Sequence, residues 1–408
     1  MKGLIALVLA ILILAGCAGP SPETAEPFTV PVTDGQTAAP TESQPPETTL
    51  PPETTLPPET TLPPDPVLEL LASMTLREKV GQLFFVAPEA VAPSEAPVRA
   101  WSEALAEGLA QYPVGGIILF GDNIRTPEQL LALTEALGSA GEIPLFLGVD
   151  EEGGPVARLA NKSAFDLPRY SSAASVGASG EPLDAYNMGK TIGAYLAKYG
   201  FTVDFAPVAD VNTNPNNPVI GSRAFSRDPE AVANLARAFA DGLNGQGVAA
   251  VFKHFPGHGD TAQDSHYGLA VSHKTADELR ACEWIPYRLL REGDWVMVGH
   301  IALPNVTGNN VPASLSPEIV TGFLREELGF SGIVITDAMN MGGVTQLYGA
   351  GEAAVLALEA GCDIILMPEN LEEAFRAVIT AVESGRFPEE RLNAIVEKLL
   401  RAKGNLPL

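Results

Sequence analysis

The sequence predicts an α/β fold in which residues 66–408 form a single (β/α)8 barrel, the TIM barrel. Short apolar runs alternate eight times with amphipathic helical stretches along this segment. Eight strand–helix repeats are the pattern of such a barrel, and a segment of this length is otherwise long for one domain. The predicted strands are Val80–Val86, Gly116–Phe120, Pro144–Val149, Thr202–Val208, Val248–Phe252, Trp295–Ile301, Gly332–Ile335 and Asp363–Met367. The predicted helices include Thr126–Leu137, Pro229–Leu243, Ala276–Arg291, Pro317–Leu328, Glu352–Ala360, Glu372–Glu383 and Pro388–Lys403.

A doubly wound open sheet is the competing fold for the same alternation. Such sheets usually carry a phosphate-binding Gly-x-Gly-x-x-Gly directly after a strand. No motif of this kind follows any of the eight apolar runs. The barrel is therefore the prediction.

Residues 1–16 are typical of a bacterial lipoprotein signal peptide. Lys2 precedes an apolar run from Leu4 to Ala15, which is too short to span a bilayer as a helix. The run ends in Leu14-Ala15-Gly16-Cys17, which resembles a lipobox, and this resemblance implies a lipid on Cys17. A plain secretory signal and an uncleaved anchor are the alternatives.

Residues 17–65 have the composition of a disordered tether. Pro-Pro-Glu-Thr-Thr-Leu occurs three times between Pro45 and Leu62. Proline fixes φ and lacks an amide hydrogen, and the segment has too little apolar surface to offset the entropy of ordering. We expect a spacer that reaches roughly 150 Å when fully extended, at about 3.1 Å per residue.

Composition restricts the partners. The formal net charge is −25, and the folded part stays acidic when the tether is set aside, which argues against nucleic acid because phosphate binding needs clusters of Lys and Arg. Besides Cys17, the chain has only Cys282 and Cys362. We expect both to be free, buried thiols without a disulfide framework.

Polar side chains recur at the carboxyl ends of the predicted strands. Asp150 ends the third strand, Asp210 the fourth and Asp337 the seventh, while Lys253-His254 and His300 follow the fifth and sixth. In a barrel these strand ends form one rim, where function resides. We therefore expect a site at this rim, with Asp210 as a structural hydrogen-bonding partner within it.

The densest group of titratable residues follows the fifth strand. Lys253-His254-Phe255-Pro256-Gly257-His258-Gly259-Asp260-Thr261 is followed at once by Asp264-Ser265-His266, so three of the five histidines fall within fourteen residues. Such density suits proton transfer and is not needed for a stable loop. A metal site built from His254, His258, Asp260, Asp264 and His266 is the alternative chemistry for the same residues.

These residues resemble the signature of the β-N-acetylhexosaminidases of glycoside hydrolase family 3. Further matching segments follow the family's order and are Val149-Asp150-Glu151-Glu152-Gly153-Gly154, Phe205-Ala206-Pro207-Val208 with Asp210, Gly221-Ser222-Arg223-Ala224-Phe225, and Ile335-Thr336-Asp337-Ala338-Met339-Asn340-Met341. The resemblance covers the chain from about Pro66 onward. It implies a barrel enzyme that needs no cofactor and no metal.

The resemblance also implies roles for individual residues. Asp337 matches the nucleophile, and its alternative role is to cap the following helix. Many family members take the acid/base from a second domain, whereas the hexosaminidase branch carries a histidine on the loop after strand five, here His266. Asp264 can orient that imidazole and stabilise its protonated form. The substrate-binding residues implied by the resemblance are Asp150, Arg158, Arg223, Lys253 and His254.

The expectation is a retaining exo-β-N-acetylglucosaminidase, anchored by Cys17 in the bacterial cell envelope and acting as a monomer. Its substrate would be an amino-sugar oligosaccharide, either a peptidoglycan fragment or a chitooligosaccharide. A phosphorylase that uses phosphate in place of water is one alternative. A metal-dependent barrel hydrolase and a lipoprotein that only binds sugar are alternatives from other classes.

Overall fold

The computed structural model describes residues 65–404, so the predicted signal peptide, Cys17 and nearly all of the predicted tether lie outside the described residues. Within this range the predicted (β/α)8 barrel is confirmed. Its strands are β1 Phe84–Val86, β2 Gly116–Ile118, β3 Phe146–Val149, β4 Val203–Asp204, β5 Ala249–Phe255, β6 Trp295–Val298, β7 Ile333–Thr336 and β8 Ile365–Leu366.

The eight strands form one parallel sheet that closes on itself. Each strand pairs with its neighbour in chain order, and β8 also pairs with β1. A parallel bridge between Ile335 and Ile364 joins the end of β7 to the start of β8, which closes the ring. Parallel strands feed their carboxyl ends to one rim, and the loops that follow them can therefore share one site.

Helices cover the outside of the barrel. They span Pro66–Ser73, Leu76–Gly81, Glu103–Gln111, Pro127–Gly138, Ala173–Gly177, Pro182–Lys198, Pro229–Asn244, Ala276–Arg280, Pro304–Thr307, Gly342–Thr345, Ala350–Ala360, Leu371–Glu383 and Glu389–Gly404. Start signals are visible in the sequence, for example at Thr126, whose hydroxyl accepts from the Gln129 amide ahead of Pro127. None of the helices within residues 65–404 is both long and apolar enough to cross a bilayer.

Several predicted elements have different bounds or a different helix type in the structure. The first strand begins at Phe84 and not at Val80, because Thr75 and Glu78 form a capping box that starts the helix Leu76–Gly81. The predicted helix Ala276–Arg291 is wrong beyond Arg280: a second piece, Pro286–Leu289, is a 3₁₀ turn. Proline inside a helix removes one hydrogen bond and collides with the preceding turn, which explains the break.

The predicted helix Pro317–Leu328 is helical, but with π-type hydrogen bonding over Glu318–Glu327. Its end shows the wider spacing, because the Leu328 amide donates to the Phe323 carbonyl at 2.9 Å. Five residues separate that donor and acceptor, one more than in an α-helix. Apolar periodicity alone does not distinguish the two helix types at this length.

The amino-terminal end of the barrel is closed by a buried lysine from the last helix. The Lys403 ammonium donates to Gln82 Oε1 at 2.8 Å and to the carbonyls of Gly115 and Pro144 at 2.8 and 2.7 Å. Gly115 comes immediately before β2, and Pro144 lies two residues before β3. Lys403 therefore ties the chain's last described helix to the end of the barrel opposite the predicted site.

Both predicted thiols are free in the structure. Cys362 is buried as expected, and burial raises the pKa of its thiol to about 12. Cys282 is only half-buried, which corrects the prediction for this residue. It lies just past the end of the short helix Ala276–Arg280, where the chain turns at the surface of the barrel.

Candidate active site

A pocket of about 320 Å³ opens at the carboxyl ends of the strands. The predicted catalytic and substrate-binding residues all line it except Asp264, which bonds to the lining residue His266. The ionisable members of the lining are Asp150, Glu152, Arg158, Arg223, Lys253, His254, His258, His266 and Asp337. Apolar side chains complete it, among them Phe120, Val156, Met297, Met341 and Met367.

Asp337 lies one residue beyond β7. Its amide donates to the Val298 carbonyl at 2.8 Å, and its Oδ1 accepts from the Ala338 amide at 2.8 Å. Burial alone would raise the pKa of Asp337, but His254, His300 and the Ala338 amide outweigh burial and lower it. The carboxylate is therefore ionised near neutral pH, as a nucleophile must be.

Asp337 does not serve as a helix cap. The next helix, Gly342–Thr345, has Met341 at its N-cap and no side-chain cap. The cap role considered as an alternative for this carboxylate therefore has no counterpart in the structure.

His266 and Asp264 form a hydrogen-bonded pair on the loop after β5. Asp264 Oδ1 lies 2.6 Å from His266 Nδ1 and also accepts from the His266 amide at 2.9 Å. Burial acts to raise the pKa of Asp264, but these two bonds to His266 outweigh it and lower that pKa. An ionised Asp264 holds the proton on Nδ1, which leaves Nε2 for exchange with a substrate.

Four charged groups form a continuous network on the pocket floor. Lys253 Nζ contacts Asp150 Oδ1 at 2.9 Å and Glu152 Oε1 at 2.7 Å. Arg223 binds Glu152 through two bonds of 2.8 and 2.7 Å. Burial alone would raise the pKa of Glu152, but Arg223 and Lys253 outweigh it and hold that pKa far below the ordinary glutamate range.

Glu152 is a site residue that sequence reasoning did not assign. It lies in the segment that matched the family, two residues after Asp150, so a signal was present. Its carboxylate joins Lys253 to Arg223 and is almost completely buried. A buried charge is tolerated only when it is paired, and Glu152 supplies that pairing for both cations.

A bulge in β5 explains how consecutive residues reach the pocket. Residues Phe252 and Phe255 face Val296 and Val298 of β6, so β5 carries one extra residue at this point. Successive side chains in a regular strand point to opposite faces, and an extra residue changes this alternation. Lys253 and His254 both line the pocket as a result. The strand also extends to Phe255, three residues beyond the predicted end.

Arg158 follows a hairpin formed by Glu151–Gly153 and Val156–Ala157 after β3. Its Nη2 contacts Asp150 Oδ2 at 3.3 Å. Its Nε is buried and has no hydrogen-bond partner within residues 65–404. Glu151 holds this segment in place, because its carboxylate accepts from the amides of Leu159 and Ala160 at 2.9 Å each.

Asp210 makes structural contacts with two histidines. Its Oδ2 lies 2.7 Å from His254 Nδ1, and its Oδ1 accepts from the His258 amide at 2.6 Å. His258 is buried, with Nδ1 2.6 Å from Thr261 Oγ1 and Nε2 2.9 Å from Ser265 Oγ. His258 thereby fixes the first part of the loop that carries His266.

His300 supports the segment that follows Asp337. Its Nε2 lies 3.0 Å from the Ala338 carbonyl, and its Nδ1 lies 2.8 Å from Ser314 Oγ. A carbonyl only accepts, so Nε2 carries the proton and Nδ1 accepts from the serine hydroxyl. Burial lowers the pKa of His300, which keeps the ring neutral in this arrangement.

The histidines and acids of the loop are not arranged as a metal site. Within the part of the chain that the structure describes, no group of three or more His, Cys, Asp or Glu side chains is close enough to hold a metal ion. His254 Nδ1 faces Asp210, and the two ring nitrogens of His258 face Thr261 and Ser265. This geometry supports the hydrogen-bonding roles described above.

With this geometry established, similarity to known proteins identifies the family. Residues 75–402 match the model of the glycosyl hydrolase family 3 N terminal domain. The chain belongs to this family. The resemblance predicted from the sequence is thereby confirmed for most of the chain.

Relatives within glycoside hydrolase family 3 carry one recurrent name. The chain is 33% identical to β-hexosaminidase A of Pseudoalteromonas piscicida over 330 residues, which is 74% of this chain and 55% of that protein. It is 35% identical to β-hexosaminidase LpqI of Mycobacterium tuberculosis over 353 residues, 82% of this chain and 84% of that protein. The chain thus spans little more than half of the first relative and most of the second.

Solved structures of the family agree with the barrel. A family 3 β-N-acetylglucosaminidase from Paenibacillus superposes with a TM-score of 0.75 at 38% identity. The match covers 82% of this chain and 63% of that one. It supports both the fold and the assignment to glycoside hydrolase family 3.

Proposed function

We propose that this chain is a retaining exo-β-N-acetylglucosaminidase with Asp337 as nucleophile and His266 as acid/base. The observation that carries the proposal is the meeting of both residues in the wall of one pocket. The two belong to different strand–loop units, after β7 and β5, and only the closed barrel brings them together. Two such groups flanking the scissile bond are what retention requires.

The proposed reaction has two steps. In the first, Asp337 attacks the anomeric carbon, the glycosidic bond breaks, and the proton of His266 Nε2 passes to the leaving oxygen. In the second, water attacks the same carbon, His266 takes a proton from that water, and the Asp337 carboxylate is released. Asp264 stays ionised and compensates the charge of the protonated imidazole.

The charged network suits recognition of a terminal sugar. Asp150 and Glu152 present carboxylate acceptors for hydroxyl groups, while Lys253 and Arg158 present donors. The apolar side chains of Val156 and Met341 offer contact for the methyl group of an acetamido substituent.

We further propose that the enzyme acts outside the cytoplasm, anchored by a lipid on Cys17 and spaced from the membrane by residues 17–65. The lipobox-like sequence and the repeated Pro-Pro-Glu-Thr-Thr-Leu segment support this proposal. A terminal β-linked N-acetylglucosamine on a peptidoglycan fragment or a chitooligosaccharide fits the pocket chemistry. The chain would act as a monomer and need no cofactor.

Product analysis tests the reaction directly. The purified chain is incubated with chitobiose and with a muropeptide, with and without phosphate, and the released sugar is examined by mass spectrometry and NMR. Free N-acetylglucosamine that first appears as the β-anomer supports retaining hydrolysis. Sugar 1-phosphate would establish the phosphorylase alternative, and binding without turnover would establish the sugar-binding one.

The nucleophile has its own test. Asp337→Ala should abolish turnover of activated aryl N-acetylglucosaminides while leaving the circular dichroism spectrum unchanged, because the residue lies at the rim of the barrel. A fluorinated slow substrate should label Asp337 in the unmodified chain. Labelling of another carboxylate would overturn this assignment.

A further inference from the structure

The loop that carries His266 reaches the pocket without being buried there. Its first half is fixed by His258, but the His266 side chain is 58% exposed. Burial therefore contributes little to the position of the imidazole. Another interaction must place the second half of the loop above the pocket.

Three consecutive carbonyls of the loop bind the segment that follows the nucleophile. The carbonyl of Ser265 accepts from the Gly343 amide at 3.1 Å, and that of His266 accepts from the Gly342 amide at 3.1 Å. The carbonyl of Tyr267 accepts from Gln346 Nε2 at 2.8 Å. The backbone on both sides of the imidazole is thus bonded to one short segment, five to nine residues after Asp337.

Gly342 is needed for this close approach, and Gly343 lies at a tight contact beside it. A Cβ on Gly342 would lie 2.8 Å from the Tyr267 carbonyl carbon and 3.0 Å from the His266 oxygen. A Cβ on Gly343 would lie 3.1 Å from His300 Cβ and 3.3 Å from the Ser265 oxygen. A side chain at position 342 would push the loop away from the barrel, since the atoms it meets are backbone.

We propose that Gly342, Gly343 and Gln346 form a loop latch that positions His266 over the sugar bound at Asp337. The loop latch joins the loop that carries His266 to the segment that follows Asp337. The separation of the acid/base from the nucleophile therefore depends on three hydrogen bonds. Its residues act through His266 and are positioning residues. This inference rests on the proposed role of His266 as acid/base.

Gln346→Ala tests the latch with little risk to folding, because the side chain is exposed. Loss of one ordinary hydrogen bond shifts a local equilibrium by about three- to tenfold. We expect kcat/KM for chitobiose to fall by this factor, while kcat/KM for an aryl glycoside with a highly acidic leaving group stays unchanged. A good leaving group needs little protonation, so it does not report on the position of His266.

Gly342→Ala should produce a larger loss of the same kind, up to the effect of His266→Ala, which we place at about 10²–10⁴-fold. Gly138→Ala is the matched control, because a Cβ there meets nothing within 4 Å. Gln111→Ala is the control for the glutamine, since Gln111 is exposed and its side chain, within residues 65–404, bonds only to the neighbouring Tyr112 hydroxyl. Both controls should keep wild-type kinetics on both substrates.

The decisive measurement is a double-mutant cycle. If the latch acts through His266, adding Gln346→Ala to His266→Ala should cause no further loss on chitobiose. Additive losses, or equal losses on both substrates in Gln346→Ala, would overturn the latch. A loss in His266→Ala that does not depend on the leaving group would instead overturn the proposed acid/base, so the two failures are distinguishable.

Discussion

Replacing Asp264 by Asn isolates the charge of the residue behind the acid/base. Asn has nearly the shape of Asp and can still accept from the His266 amide, so the loop should keep its conformation. What disappears is the negative charge 2.6 Å from His266 Nδ1. The protonated imidazole, which the first step consumes and the second step restores, loses its counter-charge.

The exposure of the pair sets the expected magnitude. The side chains of His266 and Asp264 are 58% and 30% exposed, so water screens their attraction. A charge-assisted bond in this setting contributes about 1 to 2 kcal/mol, which corresponds to a loss of about five- to thirtyfold. A fully buried pair of the same kind would cost far more, about 10⁴-fold.

The assay compares kcat/KM for chitobiose and for an activated aryl glycoside across pH. We expect the five- to thirtyfold loss on chitobiose only, because an activated leaving group needs little protonation. Since His266 lowers the pKa of Asp264, the carboxylate itself should add no limb near neutral pH.

Asp264→Ala, which removes the charge and both hydrogen bonds, is the matched variant and should lose more than Asp264→Asn. An equal loss on both substrates in Asp264→Asn, or a loss of 10³-fold or more on chitobiose, would refute this reasoning. A loss restored by added zinc would point to metal binding by this loop.

Three further results are expected. Glu152→Gln should destabilise the fold by about 3 kcal/mol in urea unfolding near pH 7, because it leaves two buried cations short of a partner. Since the folded-state pKa of Glu152 is depressed, the difference in stability from wild type should be complete above pH 5 and shrink as the pH falls below the ordinary glutamate range. A difference in stability that does not depend on pH would contradict this. Lys403→Met should lower the free energy of unfolding by about 3 kcal/mol, because it leaves buried acceptors unpaired, and kcat/KM should stay unchanged. Lost activity without lost stability would argue against the structural role of Lys403. Cys17→Ala should move the expressed protein from the membrane to the soluble fraction without changing kcat/KM, and membrane retention of the processed variant would refute the lipid anchor.

Much of the fold could be predicted because the signals are local. Eight apolar runs in alternation with helical stretches predicted all eight barrel strands, and caps such as Thr126 with Pro127 mark where helices begin. The errors fell where a local rule overrode periodicity. Pro286 ended a helix that the apolar pattern continued, and the capping box at Thr75 and Glu78 shortened the first strand.

The sequence by itself also determined which residues are candidates for chemistry. Carboxylates and histidines after apolar strands, in the order of a known family, selected Asp337, His266 and Asp264 without any coordinates. Residue type and position indicated the rim, because parallel strands deliver their ends to one side of the barrel, and the family resemblance implied the individual roles.

Only the tertiary structure decided how those residues are held. Glu152 pairs with Arg223, 71 positions away, and with Lys253, 101 positions away. The Gln346 side chain contacts the Tyr267 carbonyl, 79 positions away. Such contacts depend on the closure of the barrel, on a one-residue bulge in β5 and on backbone approach at glycine. None of these has a local periodicity, because each arises from packing between segments that are distant in the chain.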